Sequence, residues 1–267
     1  MIKELSAIIK SAGDIVRTAN MDIAKVEEKS GPGNFVTQYD VAVQDFLFKE
    51  LQRLLPEAGF LGEEGEQAGV LTDGYCFIVD PIDGTANFAR NYRHSAISLG
   101  LALNRKMIVG LVYNPYLDEL FYAEAGKGAF LNDRPIVSSN KGLKEGIVLF
   151  GTSPYNREKT DETFLLAKRL YEHSLDVRRS GSAALDICYV ASGRCELYYE
   201  LVLSPWDFAA APVIIGEAGG LITTLQGDAL QLDKKNSVLA AGSNAYRDFW
   251  NICSRTPKAY GDLIGEQ

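Results

Sequence analysis

The sequence is poor in residues that bind soft metals. It holds two histidines, His94 and His173, and four cysteines, Cys76, Cys188, Cys195 and Cys253, with no CxxC pair among them. That supply argues against a structural zinc site and against a disulfide-stapled scaffold. The cysteines read as buried free thiols of a reducing compartment. Basic charge is also short: 27 Lys and Arg stand against 35 Asp and Glu, a net charge of −8. Such a balance lacks the broad basic face that nucleic acid requires. No stretch reaches the ~18 apolar residues needed to span a membrane, and residues 1–10 carry no apolar run of signal-peptide length. The expectation is a soluble cytoplasmic protein that binds neither nucleic acid nor membrane. An acidic protein that handles an anionic substrate must mask its own carboxylates, and divalent cations do that well.

What the chain does have is ordinary globular material. Its 267 residues are 46% hydrophobic and 23% charged, enough for one large domain or two packed ones. Leu5, Ile8, Ile9, Ala12, Ile15, Val16, Ala19 and Ile23 recur mostly at steps of three and four and predict an amphipathic opening helix. Ser30-Gly31-Pro32-Gly33-Asn34 breaks it and reads as a mobile loop. A second helix starts near Asp40, with Asp40 as its cap, and Pro56 closes it. Residues 75–79 predict a buried strand ending on Asp80.

From His94 to Val137 the pattern turns to strands at 95–103, 107–113, 119–123 and 129–131. Asn104-Arg105 and Asn132-Asp133 stand as hairpin tips. The polar segment 141–146 divides the chain into an N-terminal α+β half, 1–145, and a C-terminal α/β half, 146–267. The second half predicts helices at 163–171, 183–191 and 206–218 and one at its end, alternating with strands at 175–179, 196–201, 221–224 and 237–241. Alternating layers of helix and sheet imply an α/β-type sandwich.

Three acidic sites stand apart from the rest: Gly62-Glu63-Glu64-Gly65, Asp80-Pro81-Ile82-Asp83-Gly84-Thr85 and Trp206-Asp207. An Asp-Gly pair alone is an ordinary solvated turn. Here, however, a buried strand runs into two carboxylates three residues apart, with Pro81 stiffening the corner and Gly84 allowing close backbone approach. Carboxylates that converge repel one another unless a cation or proton lies between them. Oxygen donors without His or Cys suit Mg2+ rather than zinc. Glu63 and Glu64 face opposite ways in an extended segment, so one reaches a given metal while the other turns to solvent or to a supporting position. Asp207 fits the favourable end of a helix dipole, but its bulky neighbour Trp206 argues for a partly buried carboxylate that needs a partner.

The run Asp80 to Phe88, Asp-Pro-Ile-Asp-Gly-Thr-Ala-Asn-Phe, resembles the first signature of the inositol monophosphatase family. The run Trp206 to Gly220 resembles its second, and Gly62-Glu63-Glu64 and Val36-Thr37-Gln38-Tyr39-Asp40 match two further segments in order. The likeness spans about Ile8 to Ile252. It implies an αβαβα five-layer sandwich of the sugar phosphatase type and a homodimer. It also implies that Glu63, Asp80, the Ile82 carbonyl, Asp83 and Asp207 hold two to three Mg2+ ions, and that Glu63, Asp83 and Asp207 border the substrate. By the same resemblance Thr85 and Asp40 orient and deprotonate the attacking water. The Gly84 and Thr85 amides hold the phosphate, and Gly181, Ser182, Ala183 and Glu200 meet the hydroxyls of the substrate.

Three positions depart from the family pattern. Asn34 stands where relatives carry Asp, which puts a third metal in question. Ser182 replaces Thr, and Pro212 should kink the second-signature helix. The expected substrate is a phosphorylated polyol or sugar such as inositol 1-phosphate, since Glu200 suits free hydroxyls and repels a second phosphate. Arg178 and Arg179 point the other way, toward fructose 1,6-bisphosphate, if either faces the site. The 3′-phosphoadenosine 5′-phosphate branch usually continues its first signature Gly-Thr-Lys-Glu, where this chain has Gly-Thr-Ala-Asn. A non-catalytic binding partner is the remaining alternative, against which the full acidic set speaks.

Overall fold

A computed structural model describes residues 1–20, 26–28, 35–64 and 69–254. Its helices are α1 (Ile2–Arg17), α2 (Gln38–Leu54), α3 (Thr85–Ala89), α4 (Thr160–Tyr171), α5 (Ala183–Ala191), α6 (Pro205–Phe208), α7 (Ala211–Glu217) and α8 (Ser243–Ser254). The first strands are β1 (Val26–Glu28), β2 (Phe35–Thr37), β3 (Gly59–Gly62), β4 (Tyr75–Asp83), β5 (Ala96–Leu103), β6 (Lys106–Asn114), β7 (Glu119–Glu124), β8 (Ala129–Leu131) and β9 (Arg134–Ile136). They are followed by β10 (Ile147–Phe150), β11 (Asp176–Arg178), β12 (Leu197–Leu203), β13 (Leu221–Thr223) and β14 (Asn236–Ala241).

Two large sheets organise the chain. A seven-stranded sheet runs in order β3-β4-β5-β6-β7-β8-β9, and a five-stranded sheet runs β11-β10-β12-β14-β13. From β4 to β9 every pairing is antiparallel, the expected meander. Its tips are tight because Asn104, Arg105, Asn132 and Asp133 all take positive φ, the conformation of a two-residue hairpin turn. Helices α1 and α2 cover one face of the larger sheet, through Leu5, Ile9, Val43 and Leu47 against Phe77, Val79, Leu99 and Leu111. Helices α5 and α7 fill the space between the sheets, where Leu185, Ile187, Ile214 and Ile215 meet Val112 and Phe121 on one side and Leu149 and Tyr198 on the other. Helices α4 and α8 close the far face, with Leu166, Leu170 and Phe249 on Val148, Leu197 and Tyr199. Consecutive residues of β10 and β12 thus enter different cores, the period-two alternation of a sheet buried on both sides. The layers read αβαβα, as expected.

Several local expectations change. Asp40 is not the cap of α2 but its third residue: Thr37 caps, and the two side chains and backbones form a reciprocal capping box. Strand β4 does not stop at Asp80 but continues to Asp83. The expected helix 206–218 is two helices, and Pro212 lies in the first turn of α7, where its missing N–H has no helical partner to lose. The pattern predicts no strand at β3, β9 or β10. Helix α1 ends before Ala19, while Ile23 and the loop from Ser30 to Asn34 lie outside the described residues. Among the described residues no helix is long and apolar enough to cross a membrane.

The contact between α7 and the larger sheet depends on Gly110. A Cβ there would sit 2.1 Å from the Ala210 carbonyl oxygen and 2.9 Å from its carbon, both backbone atoms that cannot rotate away. Gly110→Ala is therefore expected to lower stability by about 1–3 kcal/mol, read as a drop in midpoint by denaturant titration with an unchanged slope.

Candidate active site

The site begins with an irregularity in β4. Asp80 pairs with Ser98 of β5 and Asp83 with Ala96, so three steps on one strand match two on the other. In a regular strand, residues three apart face opposite sides. The extra residue of this bulge returns Asp80 and Asp83 to the same cleft. Asp80 is almost fully buried and its Oδ1 accepts the Ile82 amide at 3.0 Å.

Glu63 comes from the turn after β3, and Asp207 from the first turn of α6, where its Oδ2 accepts the Ser204 amide at 2.7 Å. One oxygen from each of Glu63, Asp80 and Asp207 lies within 4.8 Å of the others. Burial, then repulsion from Glu63, Asp83 and Asp207, raises the pKa of Asp80. Burial and the same crowding raise Asp207. Carboxylates forced together against their own repulsion, with only oxygen donors, fit a hard divalent cation. Glu64 is buried rather than solvated, and its backbone exchanges two hydrogen bonds with the Gln44 side chain.

Asp83 stands apart from that trio. Its Oδ2 accepts the Ser182 hydroxyl and the Ala184 amide (2.8 Å), and its Oδ1 accepts the Ala183 amide at 3.3 Å. It therefore serves the open amides at the start of α5 and fixes Gly181–Ala183 to the strand end. Burial raises its pKa to about 6 in spite of these bonds.

Gly84 has φ 90° and leaves no room for a side chain, since a Cβ would stand 2.9 Å from the Gly181 carbonyl oxygen. That left-handed residue starts α3 at once, so the first amides of the helix border the cleft with Gly84, Thr85 and Ala86. The Thr85 hydroxyl lies 3.2 Å from Asp40 Oδ1 and 3.1 Å from the Ile82 carbonyl oxygen. Asp40 sits behind it, its other oxygen held by the Thr37 amide (2.8 Å) and hydroxyl (2.6 Å). Burial raises Asp40 to about 6.

At the other end of the cleft Glu200 is buried on β12. Its Oε1 accepts the Ser153 amide at 2.6 Å and hydroxyl at 3.1 Å, and its Oε2 accepts the Tyr198 hydroxyl at 2.6 Å. A carboxylate has about four acceptor positions, so roughly one or two remain for a substrate hydroxyl. Arg179 lines the cleft and donates to Thr152 Oγ1 at 3.2 Å, whereas Arg178 pairs with Asp176 at the surface.

All the expected site residues except Asp40 border this single cleft, and Asp40 reaches it through Thr85. Sequence reasoning did not single out Tyr155, Asp186 or Ser153. The only local signal for the first and last was a Ser-Pro-Tyr-Asn turn pattern after Gly151.

The model of the inositol monophosphatase family matches residues 1–254. The chain belongs to that family. It is 39% identical over 243 residues to inositol monophosphatase 3 of Solanum lycopersicum, covering 89% of each chain. Its fold matches the extragenic suppressor protein suhB of Bartonella henselae with a TM-score of 0.88 at 30% identity, over 96% of this chain and 98% of that one. SaIMPase-II, solved with inositol monophosphate bound, matches at 30% identity and a TM-score of 0.81, over 98% and 96% of the two chains. Membership makes the chain a phosphatase of a metal-dependent family, and the carboxylate trio is the place where a metal fits.

Proposed function

We propose that the protein is a Mg2+-dependent phosphomonoester hydrolase that acts on inositol 1-phosphate or a similar polyol phosphate. The observation that carries this reading is one cleft in which the Glu63–Asp80–Asp207 trio, the open turn Gly84–Thr85 and the acceptor Glu200 meet. Glu63, Asp80, the Ile82 carbonyl, Asp83 and Asp207 would hold two to three Mg2+ ions. Bound there, Mg2+ would offset the crowded carboxylates, polarise the phosphate and make water a stronger nucleophile.

The residues of the chain do the rest. Gly84 and Thr85 present amides to phosphate oxygens. Thr85 fixes the attacking water through its hydroxyl and passes a proton to Asp40, whose pKa, raised to about 6 by burial, suits a general base. Ala183 and Glu200 orient the alcohol moiety, and Ser182 holds Asp83 in place. The buried free thiols support a cytoplasmic setting. A homodimer follows from the family resemblance, and the molar mass in solution tests it.

Arg179 favours a second reading, because a guanidinium in the cleft suits an additional anionic group, as in fructose 1,6-bisphosphate. Phosphate release from inositol 1-phosphate, fructose 1,6-bisphosphate and 3′-phosphoadenosine 5′-phosphate, with and without Mg2+, separates the cases. The expected result is Mg2+-dependent preference for inositol 1-phosphate. Preference for fructose 1,6-bisphosphate, lost in Arg179→Ala, would move the assignment to the second reading.

A further inference from the structure

Tyr155 has no role in the chemistry above, yet it lines the same cleft. It follows β10 on the turn Ser153-Pro154-Tyr155-Asn156, closed by a hydrogen bond from the Asn156 amide to the Ser153 carbonyl at 2.8 Å. The turn is stiff. Pro154 fixes its own φ. Ser153 is buried at positive φ; its hydroxyl accepts the Val202 amide at 3.2 Å and has the Val202 carbonyl (2.9 Å) and Glu200 Oε1 as alternative acceptors for its one proton. Because Ser153 is bonded to Glu200 as well, the position of the Tyr155 backbone is set relative to the residue that faces the alcohol end of the substrate.

The residue is 47% exposed. Burial, then the field of Asp207, Glu63, Glu200 and Asp80, raises the pKa of its hydroxyl, and no hydrogen bond joins that hydroxyl to another described residue. An aromatic ring on a stiff turn, half exposed and with a hydroxyl bonded to no other described residue, beside a cleft that also holds carboxylates, amides and the apolar Val202 and Leu203, has the form of a binding surface. Tyrosine supplies an apolar face and a polar tip at little entropic loss. A ring-shaped polyol or sugar presents the complement, with C–H bonds on its face and hydroxyls at its rim. An acyclic alcohol such as glycerol presents no comparable face.

Building on the phosphatase reading, we propose that Tyr155 is a specificity-determining residue that selects cyclic over acyclic alcohol moieties, its ring packing on the C–H face and its hydroxyl donating to a rim oxygen. The test uses the full chain with Mg2+ and two substrates, inositol 1-phosphate and glycerol 2-phosphate. Tyr155→Ala is expected to raise KM for inositol 1-phosphate about tenfold, ~1.4 kcal/mol of binding, with little change in kcat. KM for glycerol 2-phosphate should stay within about twofold. Tyr155→Phe, which keeps the ring, should recover most of the loss and controls for folding. Equal effects on the two substrates, or none on either, would overturn the proposal while Mg2+-dependent turnover left the phosphatase reading in place. A wild-type enzyme that hydrolyses glycerol 2-phosphate but not inositol 1-phosphate would overturn the choice of cyclic substrates. Inactivity on both would overturn the polyol-phosphate reading together with the proposal.

Discussion

Glu63→Gln is expected to lower Mg2+-dependent kcat/KM by about 10³-fold, the rate equivalent of ~4 kcal/mol of lost charge stabilisation. Its second signature is opposite in sign. Repulsion from Glu63 helps to raise Asp80 and Asp207, so removing its charge relieves the cluster when no metal is present. The metal-free variant should melt above the metal-free wild type, and should gain less from added Mg2+. A merely damaged fold would melt lower in both states.

The pH dependence follows the same logic. Asp40 and Asp83 rise to about 6 in the fold, so between the ordinary carboxylate range and that value the folded chain holds protons that the unfolded chain has released. Their contribution to the stability of the metal-free protein is fully present at the acid end and is lost as pH rises through about 6. A cation bound at Asp83 would replace its proton, so the stabilising effect of the cation should be larger at neutral pH than at pH 5. Thermal melts of wild type and Glu63→Gln, with and without Mg2+, at both pH values check all of this. A variant with normal turnover and an undiminished Mg2+ response would remove Glu63 from the metal site.

Most of this arrangement was legible as residue types in register, and the reason is local. The acids of such a cleft must be written into the chain at fixed places, and Asp80, Asp83 and Asp207 sit where a strand end or a helix start displays them. What the sequence hid was direction. Nothing in Asp-Pro-Ile-Asp says that β4 continues through Pro81 with a bulge, yet the bulge is what turns Asp83 into the cleft. Nothing shows that Asp83 serves the amides of α5, because that contact joins residues about a hundred positions apart. Arg178 and Arg179 are indistinguishable neighbours in the sequence, and only the fold sends the first, the last residue of β11, to Asp176 and the second, just past the strand, to the cleft. Tyr155 was invisible for the same reason. A Ser-Pro-Tyr turn is a surface pattern until Ser153 is seen to be anchored on a buried glutamate. The split between α6 and α7 was misread because periodicity counts apolar positions but does not register a break between two helices that share one apolar face.

The hydrogen bonds around Thr85 lead to the last expectation. Its hydroxyl has one proton and two acceptors in reach, Asp40 Oδ1 at 3.2 Å and the Ile82 carbonyl at 3.1 Å. Only when it donates toward Asp40 does the pair form a route along which a proton can leave the cleft. Asp40 is fixed for that purpose, since the Thr37 amide and hydroxyl occupy its other oxygen. Thr85→Ala should therefore reduce kcat by about 10²–10⁴-fold with little change in KM, and Thr85→Ser should recover most of it. Asp40→Asn should fall in the same range by a different path. The asparagine oxygen can keep the bonds to Thr37, which leaves its amide group facing Thr85 and turns the Thr85 proton onto the Ile82 carbonyl. Two residues acting as one relay lose their function together, so the double variant should be no slower than the slower single. Additive losses, or a Thr85→Ala enzyme with wild-type kcat, would show that the proton leaves the cleft by another route.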